Sequence, residues 1–250
     1  MKMIDLNCDM GEGSGYDEAI MPYISSANIA CGFHAGNPAI MNATVDLAIN
    51  HGVAIGAHPS FYDIKGFGRS EMKLTKKEVY EIMVYQVSAL AGFVHIRGQK
   101  LHHVKPHGAL YNMAARDPMY AQAIAAAVKD IDQDLLLYGL SGSELINAGK
   151  EAGLKTCSEV FADRTYQEDG SLTPRSQPGA IISDFNDALV QVMMMIREQK
   201  VHTLNGDMIN IEADTICIHG DHQGADIFAR EMNISLTAAG FVIKAQEQYG

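Results

Sequence analysis

Histidines, carboxylates and a few cations recur along this chain in short strings beside glycine or proline, most of them directly after an apolar run. The strings are Asn7-Cys8-Asp9-Met10-Gly11-Glu12, Cys31-Gly32-Phe33-His34-Ala35-Gly36, His58-Pro59, Lys105-Pro106-His107-Gly108, Glu159 with Asp163-Arg164, and His219-Gly220-Asp221-His222. A single histidine at such a place is most often structural. Several together would make a costly stability layer, because each unpartnered buried polar group costs about 1–3 kcal/mol. Asp9, Glu12, His34, His58, His107, Glu159, Asp163, His219 and Asp221 therefore read as one acid–base site. His51, His95, His102, His103 and His202 fall within helical patterns, at turns or at a strand start, and read as surface or structural.

Only 19 Lys and Arg serve the chain, yet Arg69, Lys105, Arg164 and Arg175 fall in the same rim segments. Arginine grips carboxylate or phosphate through a planar fork and lysine acts as a point charge, so an anionic substrate accounts for them. The bland alternative is solvated loop charge. Asp9, His34, His58 and the His219-x-x-His222 pair are suitable metal ligands by type. Their spacing matches no compact zinc motif, and a tightly bound catalytic metal is not expected. Gly11-Glu12-Gly13-Ser14-Gly15 lacks both the phosphate-loop lysine and the dinucleotide spacing.

To converge, these residues must sit on a common frame. Seven short apolar runs, at 3–6, 27–30, 53–57, 102–105, 135–138, 156–161 and 215–218, alternate with helical patterns at 39–50, 76–97, 118–129, 144–152, 184–199 and 225–239. That alternation predicts α/β architecture with parallel strands and crossover helices, in one domain over residues 1–250. A barrel, or a distorted one, and a doubly wound open sheet both fit, and both gather ligands at the carboxyl ends of strands. Asn37-Pro38 predicts a helix start, and Gly52 and Gly153 predict helix ends. The long polar segment 163–179 predicts a lid or binding loop. A second loop, 59–73, carries Gly66, Gly68 and Arg69.

The formal charge of -11 argues against nucleic acid as a partner. No run of 18 apolar residues and no leader pattern is present, so no membrane association is expected. Four scattered cysteines without a C-x-x-C pair read as reduced core residues, placing the protein in the cytoplasm.

The strings DLNCDMGE, ANIACGFHAGNP, GAHPSF with GFGR, VKPHGALYN, EVFADRTYQEDGSLTPRSQPGA and CIHGDH resemble the LamB/YcsF family, in order and over essentially the whole chain. Members of that family are identified as the A subunit of bacterial 5-oxoprolinase. The resemblance implies a seven-stranded (β/α) barrel, distorted and TIM-like, of the glycoside hydrolase/deacetylase type. It implies ATP-dependent opening of 5-oxoproline to L-glutamate together with subunits B and C, with ATP and Mg²⁺ as cofactors. It also implies catalytic roles for Asp9, His58, Lys105, His107, Glu159 and Asp221. Substrate binding falls to Glu12, His34, Arg69, Asp163, Arg164, Arg175 and His219. On this reading His107→Ala or Lys105→Ala cuts turnover at least about 100-fold in a folded protein. Two alternatives are a metal-dependent deacetylase or amidohydrolase acting alone on an N-acyl or sugar substrate, and a binding protein that captures a small acid without chemistry.

Overall fold

Along the first strand, apolar Ile4, Leu6, Cys8 and Met10 alternate with polar Asp5, Asn7 and Asp9, and Asp5 and Asn7 are as fully buried as Leu6 and Cys8. A strand with both faces covered and one face polar needs a polar interior on that side. The computed structural model, which describes residues 2–220 and 223–248, supplies it as the inside of a barrel.

The elements run β1 (Lys2–Met10), α1 (Asp17–Ile20), β2 (Ser26–Ala30), α2 (Pro38–His51), β3 (Ala54–His58), α3 (Lys76–His95), β4 (His103–Val104), α4 (Gly108–Arg116), α5 (Pro118–Ile131), β5 (Leu136–Leu140), α6 (Glu144–Ala152) and β6 (Thr156–Phe161). They continue with α7 (Phe185–Glu198), β7 (Lys200–His202), β8 (Met208–Asn210), β9 (Thr215–Ile218), α8 (Ala225–Ala238) and β10 (Phe241–Ile243). Strands β1 to β6 pair in order, all parallel, β9 pairs with β6, and β9 returns to β1 through Asp5 to Cys8. That closure makes a seven-stranded barrel and excludes the open doubly wound sheet. β10 adds to β1 outside the ring, and β7 and β8 form a separate antiparallel hairpin.

Local chemistry sets the helix ends. The Asn37 side chain accepts hydrogen bonds from the Ala39 and Ile40 amides with Pro38 in the first turn, and Gly52 and Gly153 end α2 and α6 in left-handed conformation. Thr75 and Glu78 form a reciprocal capping box at α3. Outward-facing Leu6, Cys8, Ile29, Val104, Val160 and Ile216 pack with helix residues such as Val45, Met83, Val87 and Ile124 in one apolar layer.

Inside the ring the polar groups are paired. The Asp5 carboxylate accepts from Ser25, Ser26, Tyr138 and Thr215 hydroxyls at 2.6–2.9 Å. Asn7 donates to Thr215, and Asn28 donates to Asn7 Oδ1 at 2.8 Å and Asp9 Oδ1 at 2.9 Å. His103 donates from Nε2 to Asn28 Oδ1. Its ring fills the space over Gly56, where a Cβ would lie 2.0 Å from Nε2. Two of the predicted bounds need correction. The first strand continues past Leu6 to Met10, because its polar residues face inward rather than ending it. Helix α4 begins at Gly108, inside a segment read as a strand-end string.

Candidate active site

At the carboxyl end of the barrel, Lys105 follows β4 and points inward with only 2 % of its surface exposed. Its Nζ donates to Asp9 Oδ1 at 2.9 Å and to Asn7 Oδ1 at 3.2 Å, and lies 2.8 Å from Glu159 Oε1 in an ion pair without hydrogen-bond alignment. Tyr111, on α4, donates to the other Glu159 oxygen at 2.7 Å. Burial alone would lower the Lys105 pKa, but the adjacent Asp9 and Glu159 carboxylates outweigh it and hold the ammonium well above its usual range. Lys105 is therefore a fixed cation rather than a proton shuttle. Burial likewise pushes the Asp9 carboxyl up, and the neighbouring His58 and Lys105 more than reverse that, so Asp9 stays ionised.

Beside this triad three imidazoles meet one carboxylate. Glu12 Oε1 lies 3.0 Å from His34 Nε2, 3.3 Å from His107 Nδ1 and 3.8 Å from His58 Nε2. His34 and His107 stack at 3.8 Å between ring centroids, and burial with the neighbouring His58 pushes the His34 pKa down to about 3. The loop over these rings is built for close approach. Phe67 takes a positive φ of 54°, a strained state for an aromatic residue, and its carbonyl accepts from His107 Nε2 at 2.9 Å. Gly68 follows with φ 65°, and a Cβ there would sit 2.2 Å from Ser60 Oγ and 2.8 Å from both His107 and His34.

Across the mouth, His219 Nδ1 donates to the Asp163 carboxylate at 2.8–2.9 Å, leaving the other ring nitrogen as an acceptor. Burial would raise the Asp163 pKa, yet the His219 contact and the charges of Arg175 and Arg164 leave it below normal. Arg164 is buried and donates to the Thr173 and Ala180 carbonyls, tying down the 163–179 loop. Burial and the nearby Arg175 bring its pKa down to about 10. These groups surround a cavity of about 640 Å³, lined among others by Asp9, Glu12, His58, Lys105, His107 and His219, with Arg69, Arg116, Arg164 and Arg175 in its wall.

The LamB/YcsF family model matches residues 4–249. The chain belongs to the LamB/YcsF family. A relative from Geobacillus kaustophilus, named as the A subunit of 5-oxoprolinase, is 58% identical over 249 residues, covering 98% of this chain and 97% of the relative. The solved structure of the lactam utilization protein from Thermus thermophilus superposes with a TM-score of 0.92 at 46% identity, covering 98% of this chain and all of that one. A solved T48 deacetylase, at 14% identity and a TM-score of 0.50 over 99% of this chain and 89% of its own, shares the barrel alone.

In this LamB/YcsF chain the predicted residues converge. Asp9, Glu12, His58, Arg69, Lys105, His107, Arg164, Arg175 and His219 line the cavity, while His34, Glu159 and Asp163 stand directly behind Glu12, Lys105 and His219. Asp221, and His222 beside it, lie outside the described residues. Tyr111, Phe67, Arg116 and the supporting Asn7–Asn28–His103 network are site residues that the sequence reading misses. Alternating polar residues along β1 are the available signal for Asn7. For Phe67 there is none, since its role is carried by a backbone carbonyl. The four cysteines are free and buried, and no helix among the described residues is long and apolar enough to cross a membrane.

Proposed function

We propose that this chain is the A subunit of a cytoplasmic 5-oxoprolinase and that, with subunits B and C and ATP, it opens 5-oxo-L-proline to L-glutamate. The observation that carries the reading is a buried Lys105 ion-paired between Asp9 and Glu159, in the lining of a cavity with four arginines in its wall, in a chain closely similar to proteins named as 5-oxoprolinase A subunits. Water must add to the ring carbonyl carbon, the ring C–N bond must break, and the departing nitrogen must gain a proton.

Each requirement has a group suited to it. Lys105 places positive charge beside the lactam oxygen, which gains electron density as it attacks the phosphoryl group. His219, oriented by Asp163 through Nδ1, presents its other nitrogen to take a proton from water and return it to the ring nitrogen. Arg69 and Arg175 offer forks for the substrate carboxylate. ATP would give its γ-phosphoryl group to the lactam oxygen and leave as ADP, with Mg²⁺ as its counter-ion; once water has added and the C–N bond has broken, a second water would release that group as inorganic phosphate. The residues present leave room for such a group: the cavity exceeds what a five-membered lactam acid fills, and with Arg69 and Arg175 given to the carboxylate, Arg116, paired with Glu71 in the same wall, would turn to its phosphates.

The test is His219→Gln in an enzyme reconstituted from all three subunits. The reading predicts a fall in kcat of about 10²–10⁴-fold, the usual worth of general acid–base help, with the fold retained. Wild-type turnover would remove the Asp163–His219 pair from the reaction.

A further inference from the structure

We propose that Glu12, His34, His58 and His107 form a binding site for one transition-metal dication of the zinc class. One ligand atom from each of these four residues lies within 4.8 Å of one from every other. Four of the separations are 2.9, 3.0, 3.3 and 3.8 Å. Tetrahedral zinc bonded to nitrogen and oxygen at about 2.0–2.1 Å keeps its ligand atoms about 3.3 Å apart, so these four separations are close to the edges of a coordination shell, and His34 must turn out of its parallel stack on His107 for both rings to meet one ion.

The tautomers point the same way. His58 Nδ1 lies 2.7 Å from the Lys105 carbonyl and His107 Nε2 lies 2.9 Å from the Phe67 carbonyl. A carbonyl only accepts, so both nitrogens carry hydrogen. With no proton between them, His58 Nε2 and His107 Nδ1 would present lone pairs to each other at 2.9 Å, with Glu12 Oε1 beside them and Asp9 Oδ2 3.3 Å from His58 Nε2. Acceptors facing one another repel unless an electrophile lies among them. A proton can bridge one pair, whereas four atoms converging on one point call for a centre with several contacts. Backbone carbonyls fixing the far nitrogens is how ligating imidazoles are held. The strained Phe67 and the bare Gly68 serve that arrangement. Three nitrogens and one oxygen suit Zn²⁺, Co²⁺ or Ni²⁺ rather than Mg²⁺.

Glu12, His58 and His107 line the cavity, so the ion would face the substrate. Its use there, polarising a lactam oxygen or lowering the pKa of water, rests on the lactam reading; the site itself does not.

The test is uptake of Co²⁺ by the full-length, chelator-stripped chain, without substrate, ATP or partners. The expected result is one equivalent per chain with the visible absorption of a low-coordinate nitrogen-ligated centre, displaced by Zn²⁺. Zn²⁺ should also raise the melting temperature of the wild-type chain. His34→Gln and Glu12→Gln, verified as folded by circular dichroism, should weaken Co²⁺ binding by more than the ~10–100-fold that loss of a supporting partner costs. His219→Gln should keep full stoichiometry. Failure of the wild type to take up Co²⁺ or to gain thermal stability with Zn²⁺ overturns the proposal, as does loss of binding in His219→Gln but not in His34→Gln. Such a failure leaves lactam opening untouched, because no turnover is measured.

Discussion

Lys105 shows at single-residue scale how burial changes what a substitution reports. As one cation in a polar string, it is expected to lose activity on Lys105→Ala while the protein stays folded. In the barrel that change would leave Asp9 and Glu159 as uncompensated buried carboxylates, and breaking a buried pair in this way costs about 3–5 kcal/mol. Urea unfolding of Lys105→Ala should therefore show a loss of that order, and stability within about 1 kcal/mol of wild type would contradict the ion triad. His34 yields a second prediction. Burial holds its pKa near 3 against an ordinary 6.5, so the unfolded chain takes up a proton below pH 6.5 that the native metal-free protein refuses. Its contribution is complete above pH 6.5 and fades as pH falls toward 3, at ~1.4 kcal/mol per pH unit. The pH dependence of stability between pH 6 and 4 should be shallower by about that slope in His34→Gln, and parallel curves would contradict a neutral buried ring.

Individual elements explain both the success and the gaps of the sequence reading. Thr215–Ile218 is legible because a parallel strand covered on both faces is apolar and β-branched there, and Thr156–Phe161 through Thr156, Cys157, Val160 and Phe161 despite the inward Glu159. The second half of β1 is not, because Asn7 and Asp9 face a polar barrel interior and look like a loop. Helix α4 is hidden because it starts one residue after a site histidine with no intervening turn. Most of the site residues are legible as types; their pairing is not, since Glu12 reaching three imidazoles depends on the path of the loop at Phe67 and Gly68. Two glycines test these elements. Gly56→Ala drives a Cβ into the His103 ring between β3 and β4 and should destabilise by about 1–3 kcal/mol or more. Gly68→Ala combines a positive φ with contacts under 3 Å to His34 and His107, so it should lower turnover as well as stability. A melting temperature unchanged in either variant would show that the loop or barrel gives way more easily than the packing indicates.

As a whole the molecule is an acidic barrel, of formal charge -11, that gathers Arg69, Lys105, Arg116, Arg164 and Arg175 at one mouth among the carboxylates of Asp9, Glu12, Glu71 and Asp169. The closed ring of seven strands leaves its inside polar from the Asp5 cluster, through Asn7, Asn28 and His103, to Lys105 and the cavity. Such an interior gives up apolar packing inside the ring and fixes the cavity end instead: Lys105 is held by Asp9, Asn7 and Glu159, and Asp9 in turn by Asn28. The proposed lactam opening is tested most directly by release of glutamate and ADP from 5-oxoproline and ATP, measured for this chain alone and then with subunits B and C. Glutamate is expected only in the complete mixture with ATP, and its formation should be abolished when this chain is omitted. Equal glutamate formation without this chain, or none in the complete mixture, would contradict that role.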